Sequence, residues 1–389
     1  MSALNRSPLP DNEPYHIGRP PHRRPPVGLR VLLPVLCVVA LTVYLYDHPE
    51  IVHRQLASIL PSPTPSPTPT PSAAQVRATA ETALSAGDVN GASDAWATAV
   101  ARDPKLAAGY AARARLLALR RRQAESISAG RTAVELAPAD PEAHTALAMA
   151  LDWADQSSEA IPEALAALDL DPEYAPAYSV LAEAYAATGR WDQARDTAQR
   201  AVQLDPRSPA AHRAVGMANE VRGDSAGALA AYREAAQLAP NLALYQIDIG
   251  RIHRLLGEAQ PALAAFEQAA KLDPADPVPW DSQGLLSFDS GDMDTATARF
   301  KKATQLQPDY AAGFGHLAWT YYARAQWAPA ADNFKRALEL GSQTNEYYYE
   351  LGLSLAYLGR CAEARPWLLK ALVVEPDSQA AQDGLKLCP

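Results

Sequence analysis

Cysteine is scarce, three in 389 residues, which excludes a small domain stapled by many disulfides. There is no excess of positive charge either. The formal net charge is −9, and because residues 1–60 hold six Arg against four Asp/Glu, residues 61–389 carry −11. A balance of that sign argues against a nucleic-acid groove as the task of the folded part. No GxxxxGK[ST], HExxH or paired CxxC occurs, so phosphate cradling, zincin chemistry and zinc ribbons have no local support. What the chain does have is apolar material, 48% of residues against 20% charged, enough for a large core and too much for a wholly disordered tail.

Residues 1–30 are rich in Pro and Arg (Arg19, Arg23, Arg24, Arg30) and show neither the helical nor the strand period, so they read as a disordered leader. Val31 to Tyr46 is a run of sixteen uncharged residues. As a helix it spans roughly 24 Å, a little under the roughly 30 Å hydrocarbon layer. Residues 27–50 bound its extension, with Arg30 snorkelling toward the headgroups. Tyr44 and Tyr46 suit the far interface, and the arginines before the run against Asp47 and Glu50 after it place the N-terminus in the cytoplasm. The expectation is a single-pass protein, anchored through residues 31–46, with everything downstream extracytoplasmic. A cleaved signal peptide is opposed by the long leader and by the lack of a small-x-small site after Tyr46. After a juxtamembrane segment, 47–60, the stretch 61–72 reads PSPTPSPTPTPS, a stiff polyproline-like spacer with nothing large and apolar to bury.

A 34-residue period covers the rest. Prolines fall at Pro104, Pro138, Pro172, Pro206, Pro240, Pro274, Pro308 and Pro376, and Ser342 occupies the one vacant slot. Ala99, Ala133, Ala167, Ala201, Ala235, Ala269, Ala303, Ala337 and Ala371 hold a second phase without exception. A third, Ala92, Ala160, Ala194, Ala228, Ala262, Ala296, Ala330 and Ala364, is broken at Ser126. Each period divides into two helical stretches. Glycines at Gly87, Gly189, Gly223, Gly257, Gly291 and Gly359 mark the turn between them, where a positive φ suits a residue without Cβ. Asp140-Pro141, Ser208-Pro209 and Asp276-Pro277 open the next first helix with an N-cap oxygen and a proline at the first helical position. Alanine lets the helices approach, and Trp96, Tyr232, Phe266, Phe300 and Phe334 fill space in the second helix. A lone hairpin of this kind cannot bury its apolar face, whereas a stack of them can.

With Leu181-Ala182, Tyr185, Ala194, Ala201 and Pro206 as a clear single copy, the unit resembles the tetratricopeptide repeat. The resemblance implies an all-α, right-handed superhelical solenoid of stacked helix-turn-helix units behind a single transmembrane helix. It covers 73–378 as nine units, 73–106, 107–140, 141–174, 175–208, 209–242, 243–276, 277–310, 311–344 and 345–378, with a capping helix over 379–389. The second unit departs most, with Arg113, Arg121, Ser126 and Gly130 at positions that want Leu, Gly, Ala and a bulky residue. Asn219 and His253 replace the tyrosine of the first helix, and Gly341-Ser342 closes the eighth unit irregularly.

No catalytic, cofactor-binding or metal-binding set emerges. Gly352 to Ala356 has the look of a nucleophile elbow but lies within an expected helix, and His144 and His212 sit at the bulky packing phase. Cys361, opening the last second helix, and Cys388, ending the cap, are candidates for a disulfide across 26 intervening residues. The resemblance implies that first helices line a concave face. On that face Phe288, Trp319, Tyr322, Tyr349 and Tyr357 gather in the last three units, matched earlier by Trp153 beside Met149. Rings in that position suit binding hot spots and equally suit packing between repeats. The expected function is a non-catalytic scaffold that binds proteins or peptide segments in its concave groove, with no nucleic acid and no small-molecule substrate. An accessory or sensor subunit of a membrane enzyme or secretion complex, and a glycan- or envelope-polymer-binding module, are the alternatives.

Overall fold

The computed structural model describes residues 27–51 and 71–388. Two units divide at Thr70 and Pro71, and each is taken by itself. Most of the leader and all but the last two residues of the spacer lie outside the described residues.

The first unit contains a helix, α1, over Val27–Asp47. It begins inside the stretch read as leader, because Val27, Gly28 and Leu29 continue the apolar run past Arg30. The Thr42 hydroxyl donates back to the carbonyls of Val38 and Val39 at 3.0 and 2.8 Å, which satisfies it within the helix. Leu32, Leu36, Val39 and Val43 are all more than half exposed. Among the described residues no helix is long and apolar enough to cross a membrane.

The second unit is a stack of nine helix pairs whose first helices start at 73, 107, 141, 175, 209, 243, 277, 311 and 345, followed by a last helix over Gln379–Leu387. The local causes are legible. Asp88, Asp224 and Asp292 accept from the backbone amides of Gly91, Gly227 and Thr295 at the start of second helices, at 2.7, 2.9 and 3.0 Å. Asp140, Ser208 and Asp276 cap first helices in the same way. Ser72 and Gln75 form a reciprocal capping box at the start of the array. The turn between helices keeps a left-handed residue even where glycine is missing: Arg121, Asp155 and Ala325 adopt φ of 54°, 59° and 54°, at about 1 kcal/mol each.

The alanine phases are the contact lines of the stack. Every member of the series from Ala133 to Ala371 has no exposed surface. Ser126 is tolerated among them because its hydroxyl donates to Ala114 O at 2.6 Å. Large and small residues alternate in compensation. A Cβ added at Gly216, Gly250 or Gly284 would lie 2.4 to 2.6 Å from the ring of Tyr232, Phe266 or Phe300. In the second, third and fourth repeats the bulky position is instead Gly130, Ala164 or Ala198, and its counterpart is Ala114, Ala148 or Ala182. The irregular close of the eighth repeat shortens its second helix to 13 residues, Trp327–Glu339, with Gly341 at φ 94°. There the amides of Gly341 and Ser342 take up the carbonyls of Leu338 and Ala337.

One feature departs from a stack in which units touch mainly their neighbours. The turn of the first repeat meets the linker before the sixth, where the Asn241 side chain donates to Ser85 O at 2.8 Å. Leu242 packs into the apolar cluster of Ala80, Val89, Ala92 and Leu116. Beside it Arg120, in the turn of the second repeat, pairs with Asp273 at 2.6 Å, both side chains mostly buried. The superhelix thus returns on itself after about four and a half repeats, and this seam joins residues 153 and 156 positions apart.

Candidate functional site

Because the seam closes the coil, the inner faces of the first six repeats surround a cavity of about 350 Å³ whose wall includes Leu84, Leu116, Met149, Trp153, Val180 and Tyr245. Met149 and Trp153 therefore face an enclosed space, apart from the aromatic residues of the last repeats. The Trp153 indole donates to Glu183 at 3.2 Å, and the Arg213 guanidinium lies 4.9 Å from its ring centre.

From this wall a chain of charges is handed from repeat to repeat. Glu183 pairs with Arg213 at 2.7 Å, and Arg213 with Asp248 at 2.8 Å. Asp248 then reaches Arg251 at 3.3 Å, and Arg251 pairs with Glu220. Glu183, Arg213 and Asp248 are largely buried, and their mutual attraction offsets the cost of leaving water, while Arg251 remains partly exposed. Asp152, at the edge of the chain, is pushed up to about 7, first by burial and then by the Glu183 charge. Farther along, Asp281 holds His316 at 2.8 Å and accepts from the buried Tyr310 hydroxyl at 3.3 Å.

In the last three repeats the inner face is open and aromatic. Trp319 stacks on His316 with centroids 5.5 Å apart, meets the edge of Tyr347 at 5.3 Å, and donates its indole N–H to Glu350. Tyr322 meets Trp327 at 5.2 Å, and Trp327 lies 4.5 Å from Tyr357. Tyr357 is 48% exposed, whereas Trp319, Tyr322 and Tyr349 are half-buried. Phe288 packs instead beside Leu317 and Phe300. The structure thus forms two aromatic groups, Trp319 with Tyr347 and Tyr322 with Trp327 and Tyr357, joined into one ladder through the buried ring of Phe334. Tyr349 stands near Glu350 and Glu346, whose charges, after burial, hold its hydroxyl pKa up. Sequence reasoning missed Tyr347, because it looked one turn away from the packing phase, and Trp327, because it considered first helices only. It also missed Glu350, whose signal was a carboxylate 31 positions after a tryptophan, close to the 30 between Trp153 and Glu183.

Other chemistry-bearing side chains are occupied structurally. His144 Nε2 and His212 Nε2 lie 3.0 and 2.9 Å from the carbonyls of Pro138 and Pro206, and the Tyr178 hydroxyl donates to Pro172 O at 3.0 Å. The bulky phase of the first helix thus caps the recurrent proline of the preceding repeat. Buried Ser354 donates to Glu350 O at 2.7 Å within its helix, so it is not presented as a nucleophile. Among the described residues no group of three or more His, Cys, Asp and Glu is placed to hold a metal ion. Cys361 and Cys388 are joined by a disulfide, Cα atoms 5.1 Å apart, which ties the last helix to the ninth repeat, while Cys37 is free and exposed.

Tetratricopeptide repeat profiles match residues 158–218, 244–276 and 316–381. Among solved structures, a chain of the APC/C hetero-tetramer Cut9–Hcn1 aligns with TM-score 0.58 at 20% identity, over 77% of this chain and 59% of that one. The chain thus spans about three-fifths of that longer relative. Pseudomonas aeruginosa pilF aligns at 22% identity and TM-score 0.47 over 55% of this chain and 98% of its own. A tetratricopeptide repeat protein from Parabacteroides merdae aligns at 13% identity and TM-score 0.45 over 64% and 98%. No curated protein sequence matches. The likeness of fold at such low identity carries architecture and not partner. Three profile matches within an uninterrupted array of nine helix pairs show that this chain is built of tetratricopeptide repeats.

Proposed function

We propose that the protein is a non-catalytic, membrane-anchored scaffold that docks a protein segment on the open concave face of its last three repeats. Tetratricopeptide repeats indicate protein–protein interaction, and the observation that carries the finer reading is the aromatic ladder from Trp319 to Tyr357. Trp319 and Tyr322 are partly exposed and Tyr357 is 48% exposed on first helices, and aromatic side chains lose little rotamer freedom on binding. A non-catalytic role is supported by the repeats taking up residues 73–378 and by the structural engagement of Ser354, His144 and His212 described above. Photo-crosslinking from residue 349 tests the docking face, with Arg200, exposed on a second helix, as the control position. Protein adducts from 349 and not from 200 are expected. Adducts only to glycan, or equal yields from both positions, would overturn the reading.

The anchor reading rests on the uncharged run 31–46 and the arginines before it, on the exposed apolar surface of α1 and on the internally satisfied Thr42 hydroxyl. A span this short is accommodated by local thinning and by snorkelling of Arg30. With the N-terminus cytoplasmic and the repeats outside, protease added to intact cells is expected to digest the repeats and spare the leader. Complete protection of the repeats would contradict that topology.

A further inference from the structure

Most inner-face carboxylates meet a basic side chain, usually one repeat away. Glu183 has Arg213, Asp248 has Arg213 and Arg251, Glu220 has Arg251, and Asp281 has His316. Among the described residues Asp152 and Glu350 have no such partner, and Glu350 is the one that lies on the docking face. It is mostly buried, accepts from the Trp319 indole, and among the described residues no Lys, Arg or His pairs with it. The reason is positional. The next cation would come from a tenth repeat, and the capping helix offers only Ala380, Ala381, Gln382, Asp383, Gly384 and Leu385 at the corresponding register. Lys386, one residue farther, is engaged by Asp383 at 2.7 Å.

We propose that Glu350 is the receptor for a cationic side chain, an arginine guanidinium or a lysine ammonium, carried by the segment that docks on repeats seven to nine. This rests on the docking reading above and adds the chemistry of the docked residue. The walls suit such an occupant. Trp319, Tyr322 and Tyr349 supply ring faces and edges next to the carboxylate, and a cation held between an aromatic face and a carboxylate gains from both. Glu346 adds a second negative charge to the same inner rim, raising the Tyr349 pKa together with Glu350. The Glu350 carboxyl is pushed up to about 7 because burial penalises its charge and no cation offsets it. An arriving guanidinium would complete, in trans, the pairing that Glu183, Glu220 and Asp248 complete in cis.

The full chain labelled with 5-fluorotryptophan carries seven reporters, and Trp319→Phe assigns the Trp319 resonance in its fluorine spectrum. N-acetyl-arginine amide is titrated against its neutral isostere N-acetyl-citrulline amide. Saturable displacement of the Trp319 resonance by the arginine probe is expected, at least tenfold weaker with the citrulline probe, and reduced to the citrulline level by Glu350→Gln. Equal response to both probes overturns the proposal, as does an unchanged arginine response in a Glu350→Gln chain whose circular dichroism matches that of the parent. The two readings fail separately. If residue 349 crosslinks to no protein while the arginine response still depends on Glu350, docking falls and the cation site stands. If crosslinking succeeds and the probes are indistinguishable, docking stands and the cation site falls.

Discussion

The first six repeats and the last three share one period and present opposite inner faces. In the former, a seam of Arg120, Asp273, Asn241 and Leu242 draws the coil shut around a cavity whose acids and bases are paired. In the latter the face is aromatic, and among the described residues the mostly buried Glu350 carboxylate lacks a cation. Period alone therefore sets the stack, and the residues off the period decide what each part of it offers to other molecules. The packing differs along the array in the same spirit. Small meets small in repeats two to four, whereas glycine meets a ring in repeats five to seven.

That packing contrast gives the largest expected effects. Phe300→Ala empties a fully buried site and should lower stability by about 4 kcal/mol. Gly284→Ala, whose Cβ would sit 2.6 Å from the same ring, should cost about 2 kcal/mol by overpacking. At the matched small-small pair of the third repeat, Ala164→Gly removes one methyl group and should cost only about 1 kcal/mol. Chemical denaturation of the three variants checks the order, and equal losses would show that the two regions are packed alike.

The unpaired carboxylate gives the next effect, and its sign follows from burial. Glu350 is held at about 7, above its ordinary value of 4.5, so the folded chain binds that proton more tightly than the unfolded chain does. The associated stability is fully present below pH 4.5 and is lost as pH rises through 7. Glu350→Gln carries no such dependence. Relative to the parent it should gain on the order of 2 kcal/mol at pH 8 and far less at pH 4. Urea midpoints at the two pH values measure this. A constant difference between them would mean that Glu350 has a cation or better access to water.

Most of the fold was legible from spacing, because every helix pair repeats the same local chemistry: a cap, an alanine line, a turn residue at positive φ and a closing proline. The seam was not, since Arg120 and Asp273 stand 153 positions apart and occupy no common phase that a period could reveal. The tilt between successive pairs, which brings them together, is the sum of many side-chain volumes. The site was half legible. Trp319, Tyr322, Tyr349 and Tyr357 could be placed on the inner face, but whether a ring packs on a neighbour or faces solvent depends on partners such as Trp327 and Tyr347 in other helices. Phe288 shows the difference, turning to Phe300 and away from the ladder.

The turns give the smallest effects and separate the two regions once more. Ala325 bears a φ of 54° in the open region with no compensating side chain, so Ala325→Gly should stabilise by about 1 kcal/mol. Arg121 bears the same φ at the seam, where its charge partly offsets the burial that pushes the Asp276 pKa up. Arg121→Gly should relieve the backbone and lose that attraction, leaving stability within about 0.5 kcal/mol of the parent. Thermal unfolding of both variants distinguishes them, and an equal gain would mean that the Arg121 side chain contributes nothing.

The sharpest experiment measures closure of the seam between the first two repeats and the sixth and seventh. Spin labels introduced as unnatural amino acids at Ser93 and Gln307, which flank one cleft across the seam, report its width in the full chain by pulsed electron resonance. A single short distance is expected for the parent, lengthening and broadening in Arg120→Glu and returning in the charge-swapped pair Arg120→Glu with Asp273→Arg. A long, broad distribution in the parent itself, unaltered by either variant, would contradict a closed amino-terminal region and with it the division of the array into an enclosed part and an open one.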